Sequence, residues 1–446
     1  MNDTVSTEAL VEKFDKLQAT IGIIGLGYVG LPLALAACTA KYKVIGFDID
    51  GSKVDQINRG QSYIKHIGGE ELTKHIKSGY LRCTADFTEL AKADAILICV
   101  PTPLTRHREP DLHFVEATAR TIAKHLRRGQ LIVLESTTYP GTTTDVVKPI
   151  LDATGLVCGR DYFLAFSPER EDPGNKDFST GTIPKVVGGE GADALKLTSI
   201  LYGKLTQKIV TVSTTATAEA VKLTENIFRA VNIALVNELK IIYDAMGIDV
   251  WEVIDAAKSK PFGYMAFYPG PGIGGHCIPV DPFYLTWKAR EYEISTHFIE
   301  LAGEINSVMP KWVVDRLSLA LDQRFQRGLT GAKILLVGLA YKRNVDDLRE
   351  SPSLKLIELM QARGAKVDYY DPFIPVVPPL REHAGLVGWR SVDWSKDTLA
   401  GYDAAIIATD HDDVDYAALA RHSRLVVDCH NACARHGIKG DNIIRA

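Results

Sequence analysis

Residues 20–47 run as an apolar stretch, a glycine turn, a small-residue apolar stretch and a second apolar run: TIGIIGLGYVG, LPLALAACTA, YKVIGF. Strand, turn, helix and strand within so short a span leave few folds open to the chain. The turn, Gly25-Leu26-Gly27-Tyr28-Val29-Gly30, sits between the first strand and the helix. Its glycines permit a tight bend, the approach of backbone to a pyrophosphate and close packing of helix on strand. The helix N-terminus adds oriented N–H groups. Asp48, 23 residues after Gly25, ends the next strand. A carboxylate there bonds the 2′- and 3′-hydroxyls of a ribose and repels a 2′-phosphate, so NAD is expected rather than NADP. A glycine turn of convenience with a solvated Asp is the alternative; strand, helix and acid together favour the dinucleotide.

Further apolar runs follow (ADAILICV, LIVLES, DYFLAFS, KVVGG, KIVTV), which predicts a parallel sheet covered on both faces. From Ala218 to Met246 apolar residues recur at helical spacing without Pro or Gly, until Gly247 ends the pattern. A Pro/Gly-rich loop, PFGYMAFYPGPGIGGHCIPVDPFY, precedes another long helix from about Thr296 to Phe325. At Gly331 the α/β pattern restarts: GAKILLVGLAY resembles TIGIIGLGY, and AKVDYYDP resembles YKVIGFDID. The expected organisation is α/β, with two Rossmann-like parallel-sheet domains at 1–212 and 326–446 joined by a helical region at 213–325. Only the first copy keeps three glycines, so only it is expected to hold a dinucleotide.

Composition narrows the partners. The 446 residues carry a net charge of −4, which gives no electrostatic case for nucleic acid or an anionic membrane. No run approaches the length of a membrane span, and the polar start MNDTVSTEALVEKFDKLQAT does not read as a secretory signal. Seven scattered cysteines suit a reducing compartment, so a cytoplasmic protein is expected. Cys38, Cys83, Cys99 and Cys158 lie in or beside apolar elements and read as small buried hydrophobes. Cys429-His430-Asn431-Ala432-Cys433 lacks a second half at zinc spacing, so no metal is expected.

Four constellations bear on chemistry. In Gly274-Gly275-His276-Cys277-Ile278-Pro279-Val280-Asp281, the glycines leave room for a ligand beside Cys277, which reads equally as nucleophile or filler. Lys222 and Asn226 share one helix face, either as donors to a developing oxyanion or as a solvated face. Glu169, in AFSPEREDPG, ends a strand, where such sheets bind ligands. VPTP and ESTTYPGT end two more strands at the same rim, as site or as turn chemistry. Lys342 and Arg349, in the loop after Gly338, can hold a phosphorylated ligand or form a solvated turn.

Together GxGYVGLPLA, VPTP, ESTTYPGTT, SPE, the Lys222/Asn226 helix, GGHCIPVD and GLAYKxNxxDxRESP resemble the UDP-glucose/GDP-mannose dehydrogenase family from Ile21 to the end. SPEREDPG and the 261–289 segment look most like its UDP-N-acetylglucosamine 6-dehydrogenases. The resemblance implies a four-electron oxidation of the sugar C6 hydroxyl with NAD, through a Cys277 thiohemiacetal and thioester. It implies that Lys222 and Asn226 stabilise the oxyanions, that Asp281 orders a water or proton path, and that Glu169 and Thr137 serve hydrolysis. It further implies cofactor contacts from Gly25, Gly27, Tyr28, Val29, Gly30, Asp48, Pro101, Thr102 and Thr137. Sugar-nucleotide contacts would come from Glu169, Arg170, Lys222, Asn226, Tyr268, Gly274, Lys342 and Arg349, with a homodimer or larger homo-oligomer on the long helix. Relatives acting on UDP-glucose tend to carry a second Glu where this chain has Pro173. The same chemistry on UDP-N-acetylgalactosamine, UDP-N-acetylmannosamine or UDP-glucose stays open, and, more remotely, so does a single-step 3-hydroxyacid dehydrogenase or an NAD-sensing binding protein.

Overall fold

Strands as apolar as AILI and QLIVL must be buried on both faces, and they are. The computed structural model describes residues 6–64, 67–105, 107–170, 181–275, 278–380 and 383–446. The chain divides into two compact units, Met1–Glu225 with Phe283–Ile294, and Asn226–Pro282 with Ser295–Ala446. Among the described residues the first holds eight strands: β1 Thr20–Ile24, β2 Lys43–Phe47, β3 Leu81–Thr84, β4 Ala95–Ile98, β5 Gln130–Leu134, β6 Tyr162–Phe166, β7 Lys185–Gly189 and β8 Ile209–Val212. They pair in the order β3-β2-β1-β4-β5-β6-β7-β8. Alternate residues serve opposite cores: Ile21, Ile23 and Leu97 pack on one face, while Ile24, Ile96 and Ile98 pack on the other. Each such side chain contributes about 2 kcal/mol by leaving water. The sheet departs from the expected parallel pattern at one junction, where β6 and β7 run antiparallel. No crossover helix lies between them among the described residues, and a parallel return needs one.

The second unit carries β9 Lys333–Val337, β10 Lys366–Tyr370, β11 Ala404–Ile407, β12 Val426–Asp428 and β13 Ile443–Arg445, all parallel, in the order β10-β9-β11-β12-β13. The internal duplication reaches the level of single hydrogen bonds. Asp48, after β2, accepts from the N–H of Leu26 at 3.0 Å; Asp371, after β10, accepts from Leu339 and Ala340 at 2.6 and 3.0 Å. The copies diverge beyond the turn. A helix starts at Gly30 in the first, but only at Pro352 in the second. The second turn therefore lacks the adjacent helix N-terminus that grips a pyrophosphate.

The long helical pattern forms one helix, Thr215–Met246, which begins three residues before the expected Ala218 and ends at Gly247, whose φ is +71°. A second long helix, His297–Phe325, closes on Gln326 in the left-handed region. A buried amide pair ties these helices to the glycine-rich loop. Asn237 donates to Asn306 at 2.9 Å and accepts from the Gly270 N–H at 3.0 Å, while Asn306 donates to the Ala230 carbonyl. Among the described residues no helix is long and apolar enough to cross a membrane.

Lys240, on the first long helix, is 2% exposed. Its Nζ lies 5.0 and 5.2 Å from the ring centroids of Trp251 and Trp312 and finds no hydrogen-bond acceptor among the described residues. Burial pulls its pKa down from 10.5 to about 8, against Cys429, Asp428 and Asp244, which favour the charge. A base so depressed penalises the fold fully below pH 8, and the penalty fades as pH rises toward 10.5. Its size is on the order of 3 kcal/mol. Lys240→Met keeps the stem and removes the charge, so it is expected to stabilise the second unit by about 1–4 kcal/mol at pH 7, with the gain shrinking near pH 10. Urea midpoints at the two pH values measure it. A lower midpoint at pH 7 would mean that the indole faces more than offset burial.

Candidate active site

The strand order reverses between β1 and β4, and ligands of such sheets bind at the carboxyl ends beside that reversal. Gly25 turns there with φ +90°, and a Cβ on it would lie 2.5 Å from the Cys99 carbonyl oxygen. A Cβ on Gly30 would lie 1.9 Å from the Gly25 oxygen, whereas one on Gly27 would meet nothing within 4 Å. Two glycines thus serve the turn itself, and the third leaves open a cradle that a side chain would fill. Asp48 is buried, with one carboxylate oxygen on the Leu26 N–H and the other on that of Asp50. It braces the turn, and each oxygen keeps a lone pair for a hydroxyl. Tyr28 is exposed and Val29 half-buried beside it. Pro101 is exposed; Thr102 is buried, and its carbonyl accepts from Tyr284 at 2.6 Å. Thr137 is half-buried next to Ser136, whose hydroxyl bonds the Val100 carbonyl at 2.7 Å. An open glycine, a helix N-terminus and a fixed acid suit a dinucleotide.

Farther along the same edge, the ends of β5, β6 and β7 bring together charges that lie far apart in sequence. Lys185 places Nζ 2.6 Å from Glu135 and 3.5 Å from the Glu169 carboxylate. The Tyr202 hydroxyl donates to the other oxygen of Glu135. Burial pushes the Glu135 carboxyl up, against the nearby Lys185. Burial also opposes the charge of Lys185, but Glu135 and Glu169 outweigh it and raise its pKa. Lys222, 8% exposed, donates to the Glu169 backbone carbonyl at 2.6 Å. Arg170 forms a fork with Glu225 and donates to the Pro184 carbonyl. Glu219 accepts from the N–H groups of Gly141 and Thr143 and from the Thr143 hydroxyl, which fixes the loop after β5. Burial lifts its pKa to about 7.

In the second unit Asn226 donates to Asp281 at 2.5 Å, both side chains being buried. Cys277, with its neighbour His276, lies outside the described residues, as does Pro173. The glycines before Cys277 have a tighter task than the open space expected of them. A Cβ on either would lie 2.7 Å from Tyr341, and the Gly275 N–H bonds the Arg349 carbonyl at 3.0 Å. They let this loop pack on the loop that carries Lys342 and Arg349. The Arg349 guanidinium is folded onto Asp347, and Lys342 is half-buried. Tyr268 is 43% exposed and donates to Asp255 at 2.6 Å, which raises its pKa to about 12.

The structure therefore joins Glu169 to Lys222 and to the Arg170 backbone N–H, and Asn226 to Asp281, while the side chains of Tyr268 and Arg170 bond residues outside the expected set. Sequence reasoning missed Lys185, Tyr202, Glu219 and Tyr284, and it left Glu135 as a motif letter without a role. One signal was available: a lone lysine opening the apolar strand KVVGG needs a buried counter-charge. Of the cysteines read as filler, Cys38 and Cys83 are buried and Cys99 and Cys158 half-buried.

Comparison with known proteins matches three successive segments to one family, the UDP-glucose/GDP-mannose dehydrogenase family. Its NAD binding domain matches residues 19–206, its central domain 216–308 and its UDP binding domain 335–435. A UDP-N-acetyl-D-glucosamine 6-dehydrogenase of Pseudomonas aeruginosa is 35% identical over 393 residues, 88% of this chain and 90% of that one. An NDP-N-acetyl-D-galactosaminuronic acid dehydrogenase of Ralstonia nicotianae is 37% identical over 419 residues, 92% and 95% of the two chains. The solved structure of a UDP-D-ManNAc dehydrogenase from Pyrococcus horikoshii superposes with a TM-score of 0.84 at 33% identity, covering 96% of this chain and 98% of the other.

Proposed function

The chain belongs to the UDP-glucose/GDP-mannose dehydrogenase family of NAD-binding enzymes, and from that premise we propose that it oxidises C6 of UDP-N-acetylglucosamine from alcohol to carboxylate. It is a nucleotide-sugar dehydrogenase of the UDP-aminosugar kind. The observation that carries the mechanism is the anchoring of two buried donors four residues apart on one helix, Lys222 by the Glu169 carbonyl and Asn226 by Asp281. Donors fixed before the reaction stabilise developing negative charge without reorganising.

NAD, when bound, supplies the hydride acceptor that each oxidation requires. Lys222 and Asn226 stabilise the alkoxide of the alcohol and the later oxyanions. The Cys277 thiolate adds to the C6 aldehyde, and the resulting thiohemiacetal keeps that carbon attached until its second oxidation gives a thioester. Glu169 takes a proton from water as the water adds to the thioester carbonyl, and the Cys277 thiolate leaves as the acid forms. Thr137 holds that water, and Asp281 orients Asn226 and a proton path. Arg170, Tyr268, Gly274, Lys342 and Arg349 hold the nucleotide sugar, with Lys342 and Arg349 on its charged portion. Pro101, Thr102, Tyr28 and Val29 line the cofactor with the glycines and Asp48. The working division stays at 1–212, 213–325 and 326–446.

SPEREDPG and the 261–289 segment support N-acetylglucosamine over the galacto and manno epimers. Phe228, Leu235 and Ile242 are exposed seven residues apart on the long helix, an apolar seam suited to a second copy of the chain. The six described cysteines are all free thiols, in keeping with the cytoplasm. Initial rates on the three UDP-N-acetylhexosamines and UDP-glucose test the substrate. The expected kcat/KM is at least about tenfold higher for UDP-N-acetylglucosamine; a higher value for another sugar would reassign it.

A further inference from the structure

Lys185 is 6% exposed, and its ammonium is shared between two carboxylates from neighbouring strand ends, 2.6 Å from Glu135 and 3.5 Å from Glu169. The sharing is unequal for a structural reason. Glu135 is 1% exposed and also accepts from the Tyr202 hydroxyl, so it is immobilised on both oxygens. Lys185 further lies over the Tyr202 ring, 5.2 Å from its centroid. Glu135 and Tyr202 thus form a socket for the lysine, and the socket aims the lysine's charge at Glu169. A salt bridge needed only for folding would be complete with Glu135 alone.

We propose that Lys185 is a positioning residue: seated on Glu135, its ammonium holds the Glu169 carboxylate in the ionised form that accepts a proton from water. The inference rests on the role given above to Glu169. Two carboxylates so placed cannot both ionise cheaply without a cation between them. Other described groups also face the cluster. The Cys99 thiol is pushed far up by burial and stays neutral. The Lys222 ammonium sits on the Glu169 carbonyl, the Arg170 guanidinium pairs with Glu225, and the Arg170 backbone N–H donates to the Glu169 carboxylate at 2.6 Å. Lys185 is thus a buried cation that the structure pairs directly with the Glu169 carboxylate.

The test is the acidic limb of the kcat–pH profile, read together with decay of the thioester after a single turnover. In Lys185→Met the limb is expected to move up by about one pH unit, lowering kcat about tenfold at pH values below the limb, with KM for the sugar nucleotide changed less than about threefold. Lys185→Arg should hold the limb in place. Lys185→Met leaves Glu135 buried without its cation, so the double variant Lys185→Met/Glu135→Gln is made alongside it to restore the fold. The double variant should melt near the parent, with its limb raised by less than in Lys185→Met because Glu135 no longer repels Glu169. A limb at the parent position in either folded variant overturns the proposal. Glu169→Gln separates the two readings. If it keeps normal turnover, the hydrolytic role of Glu169 itself fails; if it is inactive while the Lys185→Met limb is unmoved, only the role of Lys185 fails.

Discussion

With Cys277→Ser, formation of the sugar acid is expected to fall by at least about 10³-fold, while NAD affinity stays within about twofold of the parent. A free cysteine is a few per cent thiolate at neutral pH and strongly nucleophilic, whereas a serine hydroxyl without an adjacent base is not. Serine also gives a poorer leaving group, so any ester that formed would drain slowly. The cofactor cradle proposed above uses Gly25, Gly27, Gly30 and Asp48 of the first unit, none of which the change replaces. Acid is quantified by mass spectrometry and NAD affinity by fluorescence titration. Full acid formation in the variant would remove the covalent route; lost NAD binding would mean that the change acts on folding.

Lys222→Ala is expected to lower kcat by about 10²–10³-fold and to leave KM within a few-fold, the pattern of a donor felt mainly in the transition state. Lys222 is buried, and its Nζ already bonds the Glu169 carbonyl, so it is oriented before substrate arrives. The alanine variant also strands that carbonyl without its donor, at about 1–3 kcal/mol of stability. Turnover is therefore compared at a temperature where circular dichroism shows both proteins folded. A change confined to KM would contradict the role given to this lysine.

The parts of the fold that were legible in the sequence are those that local physics dictates. The turn after β1 announces itself because a left-handed Gly25 and a crowded Gly30 admit no side chain. The long helix announces itself because no residue from Ala218 to Met246 breaks it. The antiparallel junction of β6 and β7 was not legible, since both strands read as buried and apolar whichever way they run. The cluster on Glu135 was hidden for a related reason. Lys185 and Tyr202 lie 50 and 67 residues from it, and only the order of strands in the sheet and the packing of the helix Ala192–Leu205 on it make them neighbours. Asp48 was read as a ribose ligand from its place at a strand end, while its grip on the Leu26 and Asp50 N–H groups could be found only in the folded chain. Gly274 and Gly275 show the same limit: two glycines before a cysteine suggest space for a ligand, and the space is taken by Tyr341.

Four-electron oxidation is the central claim, and the yield of NADH at completion tests it most directly. With limiting UDP-N-acetylglucosamine and excess NAD, two NADH per sugar nucleotide are predicted, accompanied by one sugar acid and no free aldehyde. One NADH per sugar nucleotide, with an aldehyde or ketone released to solution, would contradict it.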